Sequence, residues 1–257
     1  MSLTNLLSIL LSVLLSIKLS MNINICYNDY KYGGFMKNGK LIVVEGACDG
    51  IGKTTQYELL CKRLKEDGYE VANHHFPSYG TYQGAAVEKY LKGEYGQPSE
   101  LSPYFVNSLY ANDRGITWYT QLKPLFDEGK VILLDRYTTS SLIYQSALIE
   151  DIEEKKKFID YVTDFEYKKI GIKEPDNVIF LHAPFDLVTE MRNARKQNEG
   201  VVNDIHESNI EFMKKVYESA MFIADYLSWD KIECNDENKM RNIDDIHNEI
   251  YKLVLKK

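Results

Sequence analysis

One stretch near residue 40 constrains the fold more than any other part of the chain. Residues 40–46 read KLIVVEG, a short continuous run rich in β-branched and aliphatic residues. Such a run is typical of a strand that is buried on both faces of a parallel sheet. A glycine-rich segment, GACDGIGKTT, follows at once, and TTQYELLCKRLKEDG then carries apolar residues at helical spacing up to Gly68. The order predicts a strand, a loop and a helix in direct succession, as in an α/β protein.

The glycine-rich loop nearly matches the phosphate-binding pattern G-x-x-x-x-G-K-[ST]. Gly52, Lys53 and Thr54 fit its end, but the first glycine position holds Ala47, and Gly46 lies one residue too early. Either Ala47 replaces the first glycine, or Gly46 makes the turn and the loop carries one extra residue. Backbone N–H groups and the helix dipole would bind phosphate, with Lys53 at the β- and γ-phosphates and Thr54 at Mg²⁺. The alternative is a glycine-rich turn capped by a surface lysine.

Four further apolar runs predict strands: YEVANHHF, KVILLDRY, DNVIFLHA and WDKIECN. Helical periodicity separates them, and Pro124 is expected to kink or divide the long helical segment that starts near Pro103. The predicted fold class is α/β, with a P-loop NTPase-type five-stranded parallel sheet flanked by helices on both faces and a short lid segment. We expect residues 40–257 to form this single domain.

Residues 1–39 do not resemble the rest of the chain. The stretch from Leu3 to Leu19 is rich in Leu and Ser and carries no charge before Lys18. It lacks the basic start and cleavage site of a signal peptide and the roughly 20 apolar residues of a membrane span. We expect an extension that is disordered or outside the fold, with Met36 as the functional start. A membrane or organelle role for the extension is the alternative.

Charge and cysteine usage argue against several classes of protein. The net charge of -7 over 257 residues does not suit a nucleic-acid binder, which needs clustered Lys and Arg. The four cysteines form no C-x-x-C pair and indicate reduced thiols in a cytoplasmic protein. The histidines show no metal-ligand spacing. Neither a nucleic acid nor a membrane is expected as a partner.

Two motifs carry charged residues at positions that suit nucleotide chemistry. ILLDRY ends the third strand with Asp135 and Arg136, where the acid can hold a metal ion through water and the arginine can neutralise transferring phosphates. An ion pair at a strand end is the alternative. LYANDRG places Tyr110 and Arg114 one helical turn apart, so that they can stack on and hydrogen-bond a base. A half-buried tyrosine beside a surface arginine is the alternative.

An ordered set of segments carries a more specific signal. VVEGACDGIGKTTQ, HFPSYG, LYANDR, LLDRYTTSS and MRNARKQN…NDIHE, in this order, resemble the thymidylate kinase family from about Lys40 to the C-terminus. The resemblance implies transfer of a phosphoryl group from ATP to dTMP with Mg²⁺, in a homodimer. The residues it implies as ATP-binding are Gly46, Ala47, Cys48, Asp49, Gly50, Ile51, Gly52, Lys53, Thr54 and Thr55. The implied catalytic residues are Lys53, Arg136, Asp49, Arg192 and Arg195, and the implied metal-binding residues are Thr54 and Asp135.

The resemblance also implies an acceptor site. Asp49 would contact the sugar 3′-hydroxyl, Tyr110 would stack on thymine, and Arg114 would hydrogen-bond the base. Tyr144 would pack under the sugar and disfavour a ribose 2′-hydroxyl. The residues implied to bind dTMP are Phe76, Pro77, Tyr79, Tyr110, Arg114, Arg136, Ser141 and Tyr144.

The chain departs from the family pattern after Phe76-Pro77. Many relatives have an arginine there that grips the acceptor phosphate, whereas this chain has Ser78 and Tyr79. We expect the phosphate grip to depend more on Arg136 and on the hydroxyl of Tyr79.

The segment from Arg192 to Glu207 resembles the mobile lid of such kinases. Its basic residues, Arg192, Arg195 and Lys196, are positioned to close on ATP, while Asp204 and Glu207 resemble an acidic pair at the base of the lid. A solvated basic helix end and an acidic helix N-terminus are the alternatives.

Two other functions stay open on the sequence alone. A deoxynucleoside kinase shares the fold and the loop, but it needs a carboxylate base beside the sugar, where this chain has HHFPSYG. A catalytically silent nucleotide-binding protein would explain the unusual loop and the missing arginine. A GTPase is disfavoured because no N-K-x-D motif occurs.

Overall fold

The computed structural model describes residues 39–48, 50–190 and 210–256. Within these ranges, five parallel strands form one sheet in the order β2-β3-β1-β4-β5, which confirms the predicted sheet. The strands are β1 (Lys40–Gly46), β2 (Val71–His75), β3 (Val131–Asp135), β4 (Asn177–His182) and β5 (Asp230–Glu233). A short antiparallel hairpin of β6 (Asn235–Asp236) and β7 (Lys239–Met240), which the apolar pattern did not predict, follows β5.

Helices connect the strands. The described helices are α1 (Lys53–Glu66), α2 (Ala85–Leu91), α3 (Pro103–Thr117), α4 (Lys123–Asp127), α5 (Thr138–Ser146), α6 (Ile152–Thr163), α7 (185–190), α8 (Ile210–Tyr226) and α9 (Ile243–Lys256). The helix predicted around Pro124 is divided, because a π-helical turn, Trp118–Leu122, joins α3 to α4. A second π-helical turn, Asp164–Ile170, prolongs α6 and ends at Gly171 in left-handed conformation.

Strand β1 is at the centre of the fold because it pairs with β3 on one side and β4 on the other. Its side chains alternate between two cores. Ile42 and Val44 belong to a core that also contains Leu60 of α1 and Ile250 of α9. Leu41 and Val43 belong to the opposite core with residues such as Trp118. A strand buried on both faces needs this two-sided apolar pattern, so KLIVVEG is explained by its central position.

A third apolar cluster joins α5, α6 and α8 beside the sheet. It includes Ala47, Phe158 and Phe180, which are fully buried. This cluster fixes α5 against the start of the phosphate loop, so the loop and the helix that follows β3 share one packed environment. No helix of the described ranges is both long and apolar enough to cross a membrane.

The parallel arrangement brings functional sequence motifs to one edge of the sheet. The carboxyl end of β1 carries Gly46, that of β2 leads into Phe76, and that of β3 carries Asp135. Open parallel sheets bind their ligands at this edge. The first 38 residues, and with them the expected extension, lie outside the described ranges, so the division at residue 39 stays a prediction.

Candidate active site at the carboxyl edge of the sheet

The start of the phosphate loop shows how the extra residue is accommodated. The Ala47 N–H donates to the carbonyl of Leu181 at 2.9 Å, so Ala47 prolongs the pairing of β1 with β4. A Cβ added to Gly46 would lie 2.8 Å from Cγ2 of Ile51, which is too close for any side chain. This geometry favours the alternative in which Gly46 makes the turn and the loop carries one extra residue, with Ala47 paired in the strand ladder.

The rest of the loop curves through two glycines. Gly50 and Gly52 have φ values of 98° and 91°, a left-handed conformation that glycine adopts without the cost that other residues incur. Helix α1 begins directly after Gly52, at Lys53. The described part of the loop thus aims a helix N-terminus toward the carboxyl edge of the sheet, as phosphate binding requires. Asp49 lies outside the described residues.

Lys53 and Asp135 form a buried ion pair at the centre of this edge. The Lys53 ammonium donates to Oδ1 of Asp135, and Nδ1 of His75 lies 3.1 Å from the other oxygen, Oδ2. Burial by itself raises the pKa of Asp135. The hydrogen bonds from His75 and Lys53 and the positive charges of Lys53 and Arg136 outweigh burial and hold this pKa well below its usual range. Asp135 is consequently an ionised carboxylate at neutral pH.

The predicted metal-binding residues offer hard oxygen donors. Asp135 supplies an ionised carboxylate, and Thr54 lies exposed in the first turn of α1. In the described ranges no group of three or more His, Cys, Asp or Glu side chains forms a metal cage. A carboxylate and a hydroxyl oxygen suit Mg²⁺, which keeps several waters and binds partly through nucleotide phosphates.

Arg136 has a strained backbone next to this pair. Its φ is 66°, the left-handed region that non-glycine residues rarely adopt and that clusters at functional sites. The Arg136 N–H lies 3.3 Å from the carbonyl of Val44, its Nη1 lies 3.5 Å from the hydroxyl of Tyr144, and the same nitrogen lies 3.9 Å from Oε1 of Glu45. The side chain is thereby directed between the phosphate loop and helix α5.

Glu45 is a buried carboxylate that the sequence analysis did not single out. Its Oε2 accepts hydrogen bonds from the hydroxyls of Thr139, at 2.8 Å, and Ser140, at 2.6 Å, and its Oε1 accepts from the Gly46 N–H. These bonds tie the start of the loop to the first turn of α5. The glutamate stands inside the apolar β1 run, and the break in that run was the available signal.

A cavity of about 250 Å³ opens beside Arg136. It is lined by all eight residues that the resemblance implied for the acceptor site, including Tyr110 and Ser141. The lining residues that the sequence analysis missed are His75, Leu91, Tyr137, Ser140 and Gln145. Helical spacing could have found Gln145, because it lies four residues after Ser141 on α5.

Arg114 differs most from what its motif alone suggested. The expected alternative, a surface arginine beside a half-buried tyrosine, is wrong, because Arg114 is 1% exposed and Glu166 is 0% exposed. Nε and Nη2 of Arg114 each donate to an oxygen of Glu166 at 2.7 Å, and Nη2 also donates to the hydroxyl of Ser141 at 2.8 Å. The guanidinium carbon lies 6.0 Å from the Tyr110 ring centre. Glu166 lies in the second π-helical turn, and no sequence motif indicated it.

Several predicted residues lie outside the described ranges. They are Asp49 in the loop and the lid residues Arg192, Arg195, Lys196, Asp204 and Glu207. Their roles stay predictions.

Known proteins resemble the chain over most of its length. A family model described as thymidylate kinase matches residues 44–250. The chain is 31% identical to the thymidylate kinase of Plasmodium falciparum over 222 residues, which is 86% of this chain and 91% of that protein. It is 30% identical to the thymidylate kinase of Mycobacterium tuberculosis over 68% of this chain and 81% of that protein.

Two solved structures share the fold. The thymidylate kinase of Candida albicans superimposes with a TM-score of 0.64 at 21% identity, covering 85% of this chain and 92% of that one. The thymidylate kinase of Ehrlichia chaffeensis gives a TM-score of 0.57 at 22% identity, covering 84% of this chain and 99% of that one. The Candida enzyme is known for broad substrate specificity.

The geometry at the start of the loop predicts that Gly46→Ala impairs ATP binding, whereas Ala47→Gly impairs only stability. The new Cβ at residue 46 must displace Ile51 and with it the phosphate cradle, so we expect the KM for ATP to rise at least ~10-fold, in line with losing one or more loop contacts. Ala47→Gly removes a buried methyl group and is expected to lower thermal stability by about 1 kcal/mol without changing the KM for ATP. Steady-state kinetics and thermal unfolding measure both effects. A larger KM effect for Ala47→Gly would assign the first-glycine role to residue 47.

Proposed function

The chain belongs to the thymidylate kinase family, and we propose that it transfers the γ-phosphate of ATP to dTMP through the residues described above. One observation carries the residue assignment: Arg136 lies between the glycine-rich loop on one side and a cavity lined by the buried Arg114 on the other. A phosphoryl-transfer enzyme needs both substrates in line at one centre of positive charge. The products would be dTDP and ADP.

The donor side uses the loop and helix α1. Backbone N–H groups between Gly50 and Lys53 would bind the phosphates, and the Lys53 ammonium would move from Asp135 to the β- and γ-phosphates. Thr54 and Asp135 are the described residues that would hold Mg²⁺, which when bound neutralises charge on those phosphates. Because Asp135 is ionised, it has a full negative charge for Lys53 or for the metal.

Arg136 would act at the centre. Its guanidinium can donate to the acceptor phosphate and to the transferring group at once, which stabilises the charge that develops during transfer. Its left-handed backbone and its contacts with Tyr144 and Glu45 support this role, because they hold the side chain at the junction of the two sites. The lid residues Arg192 and Arg195 would add positive charge on the donor side.

The acceptor cavity suits an uncharged pyrimidine base. Arg114 would donate to a carbonyl at position 4, and Tyr110 would stack on the ring. Gln145 is 3% exposed, and within the described ranges its Oε1 has no hydrogen-bond partner. A buried acceptor without a partner is costly, and the N3–H of thymine would satisfy it. Tyr144 would pack under the deoxyribose.

Tyr79 and Arg136 would grip the acceptor phosphate in place of the missing arginine. Tyr79 is 55% exposed and its ring stacks on His75 at 6.2 Å between centroids, so its hydroxyl can reach a ligand in the cavity. The backbone N–H of Ser78 is already bonded to Oδ2 of Asp113 at 2.8 Å. Ser78 therefore shapes this loop more than it binds phosphate.

The cavity also bears on the closest alternative function. A deoxynucleoside kinase needs a carboxylate that takes a proton from the sugar hydroxyl. Among the described residues that line the cavity, none is Asp or Glu. A phosphate acceptor is already ionised and needs no such base, and the positive charge of Arg136 in the cavity lining suits a monophosphate as the substrate.

The homodimer implied by the family would use the outer face of α3. Phe105, Leu109, Ile116 and Tyr119 recur there at helical spacing, and Phe105 and Tyr119 are 44% and 51% exposed. This stripe extends from the helix into the π-helical turn, where Tyr119 lies, and would be buried by the same stripe of a second copy. The proposed location of the protein is the cytoplasm.

Substrate specificity tests the proposed reaction directly. In a coupled ADP-release assay with ATP and Mg²⁺, dTMP is expected to give the highest kcat/KM among dTMP, dUMP, dGMP and thymidine. Turnover of thymidine above dTMP would favour the deoxynucleoside kinase. ATP binding without turnover of any monophosphate would favour the silent nucleotide-binding protein.

Loss of either central cation is expected to slow the reaction. Lys53→Ala and Arg136→Ala should each lower kcat by at least ~10², because each removes a preorganised charge contact in the transition state. Lys62→Ala, on the exposed face of the same helix as Lys53, is the matched control and should leave kcat unchanged. Circular dichroism verifies that the variants fold. Losses below tenfold for both Lys53→Ala and Arg136→Ala would contradict the assigned mechanism.

Introducing a charged residue into the proposed dimer interface tests whether this face mediates dimerisation. Leu109→Glu places a carboxylate in the middle of the stripe and should convert a dimer into a monomer, because an unpaired charge is costly in an apolar interface. Asn112→Glu, on the same helix, is the control for added charge. Sedimentation velocity measures the mass of each. A wild-type protein that sediments as a monomer at micromolar concentration would refute the proposed interface.

A further inference from the structure

We propose that Glu166 is a specificity-determining positioning residue, which acts through Arg114 to make the cavity select a base with a carbonyl at position 4. The inference rests on the proposed use of the cavity as the dTMP site. Glu166 itself does not line the cavity. It lies behind Arg114, in the π-helical turn Asp164–Ile170 that prolongs α6.

The contact between the two side chains is a buried bidentate pair. Both Nε and Nη2 of Arg114 donate to the carboxylate, each at 2.7 Å. The carboxylate is held in turn by the hydroxyl of Thr138, which donates to Oε2 at 3.0 Å. The three donors together fix the orientation of the carboxylate. Because the guanidinium is planar and rigid, the carboxylate in turn fixes the direction of the N–H groups on the opposite side of Arg114.

The hydrogen-bond inventory of Arg114 then determines what it can offer to a ligand. An arginine has five N–H donors. Nε and Nη2 are used by Glu166 and Ser141, and a longer contact of 3.4 Å joins Nη2 to Oδ1 of Asn107. Among the described residues, Nη1 contacts the carbonyl of Tyr137, at 3.4 Å. One N–H of Nη1 therefore has no acceptor among these bonds, and Arg114 lines the cavity. A single donor at that position matches a carbonyl and opposes an amino group.

The charge balance of the Arg114–Glu166 pair also favours an uncharged base with a hydrogen-bond acceptor. The negative charge of Glu166 balances that of the guanidinium where neither side chain meets water. Burial lowers the pKa of Arg114, but the adjacent carboxylate outweighs burial and raises it above the ordinary value. Both side chains are therefore charged, but the pair has no net charge. The end of the cavity next to this pair consequently favours a neutral heterocycle. The net positive charge stays near Arg136, where the phosphate belongs.

An ion pair that only stabilises the fold would show the same contacts, because a buried ion pair is weak evidence for any one role. The two roles differ in what they do to ligand recognition. A structural pair supports the fold equally for every substrate. A positioning pair matters only for a substrate that accepts a hydrogen bond from Arg114. Substrates with and without that acceptor therefore separate the two roles.

The experiment compares two acceptors in the wild-type protein and in Glu166→Gln. The acceptors are dTMP and the 2′-deoxynucleoside monophosphate of 5-methyl-3,4-dihydro-2-pyrimidinone, in which a CH₂ group replaces the carbonyl at position 4 and the N3–H is kept. Glu166→Gln keeps the shape but removes the charge and one of the two acceptor oxygens. We expect its KM for dTMP to rise at least ~10-fold, in line with weakening one charge-assisted hydrogen bond. The KM for the analogue should change less than about threefold on the same reasoning, because the analogue has no contact to lose.

Two controls complete the test. Glu154→Gln, an exposed residue on α6, should leave both KM values unchanged. Thr138→Val removes the hydroxyl that holds the carboxylate but leaves the ion pair, and it should raise the KM for dTMP by about two- to fivefold, the effect of one neutral hydrogen bond. If Glu166→Gln does not fold, as judged by circular dichroism, Thr138→Val carries the test.

The outcomes distinguish this proposal from the proposed function. Equal effects of Glu166→Gln on dTMP and the analogue would overturn the positioning role while leaving the dTMP assignment intact. An unchanged KM for both would overturn it as well. A wild-type protein that does not prefer dTMP over the analogue would show that the cavity does not read position 4 of the base and would overturn the positioning role, whereas the proposed function would fail only if dTMP itself were not phosphorylated.

Discussion

The buried carboxylate of Asp135 is the interaction on which the site depends most. It ends β3, accepts from Lys53 at the start of α1, and contacts His75 at the end of β2. These three elements are brought together by the parallel sheet, but the sheet alone sets only their spacing, and the carboxylate fixes their side chains. A negative charge inside the protein is tolerated because Lys53 and His75 hydrogen-bond to it and Arg136 adds a nearby positive charge. The same charge keeps Lys53 buried and close to where nucleotide phosphates are expected.

Much of this arrangement could be predicted from the sequence because it depends on local patterns. A short, continuous apolar run is compatible with few structures other than a buried parallel strand. Glycines next to a lysine at the start of a helix strongly limit the conformation that the loop can adopt. Asp135 and Arg136 follow from their position at a strand end. The residues implied for the acceptor site, from Phe76 to Tyr144, line one cavity because the family motifs keep their order along the same fold.

The remaining features depend on contacts between distant segments. Glu166 is 52 positions from Arg114, and only the π-helical turn after α6 brings its carboxylate inward. A continued α-helix would have rotated it to another face, and no local pattern distinguishes the two. Glu45 and Gln145 were missed for a different reason, because their signals were local but not used: Glu45 interrupts the apolar run of β1, and Gln145 lies one helical turn after Ser141. The direction of Arg114, inward and not toward solvent, follows from its partner and not from its own segment.

The prolonged strand at Ala47 has a consequence for how a phosphate loop can tolerate length changes. Ala47 adds one rung of pairing with β4 before the turn, so an added residue at this point can lengthen the strand without lengthening the segment from Gly50 to Lys53. An insertion after Gly50 has no strand to lengthen, so it would push Lys53 along the chain and away from Asp135. Evolutionary variation in such loops should therefore be asymmetric, with insertions accepted on the strand side and excluded on the helix side.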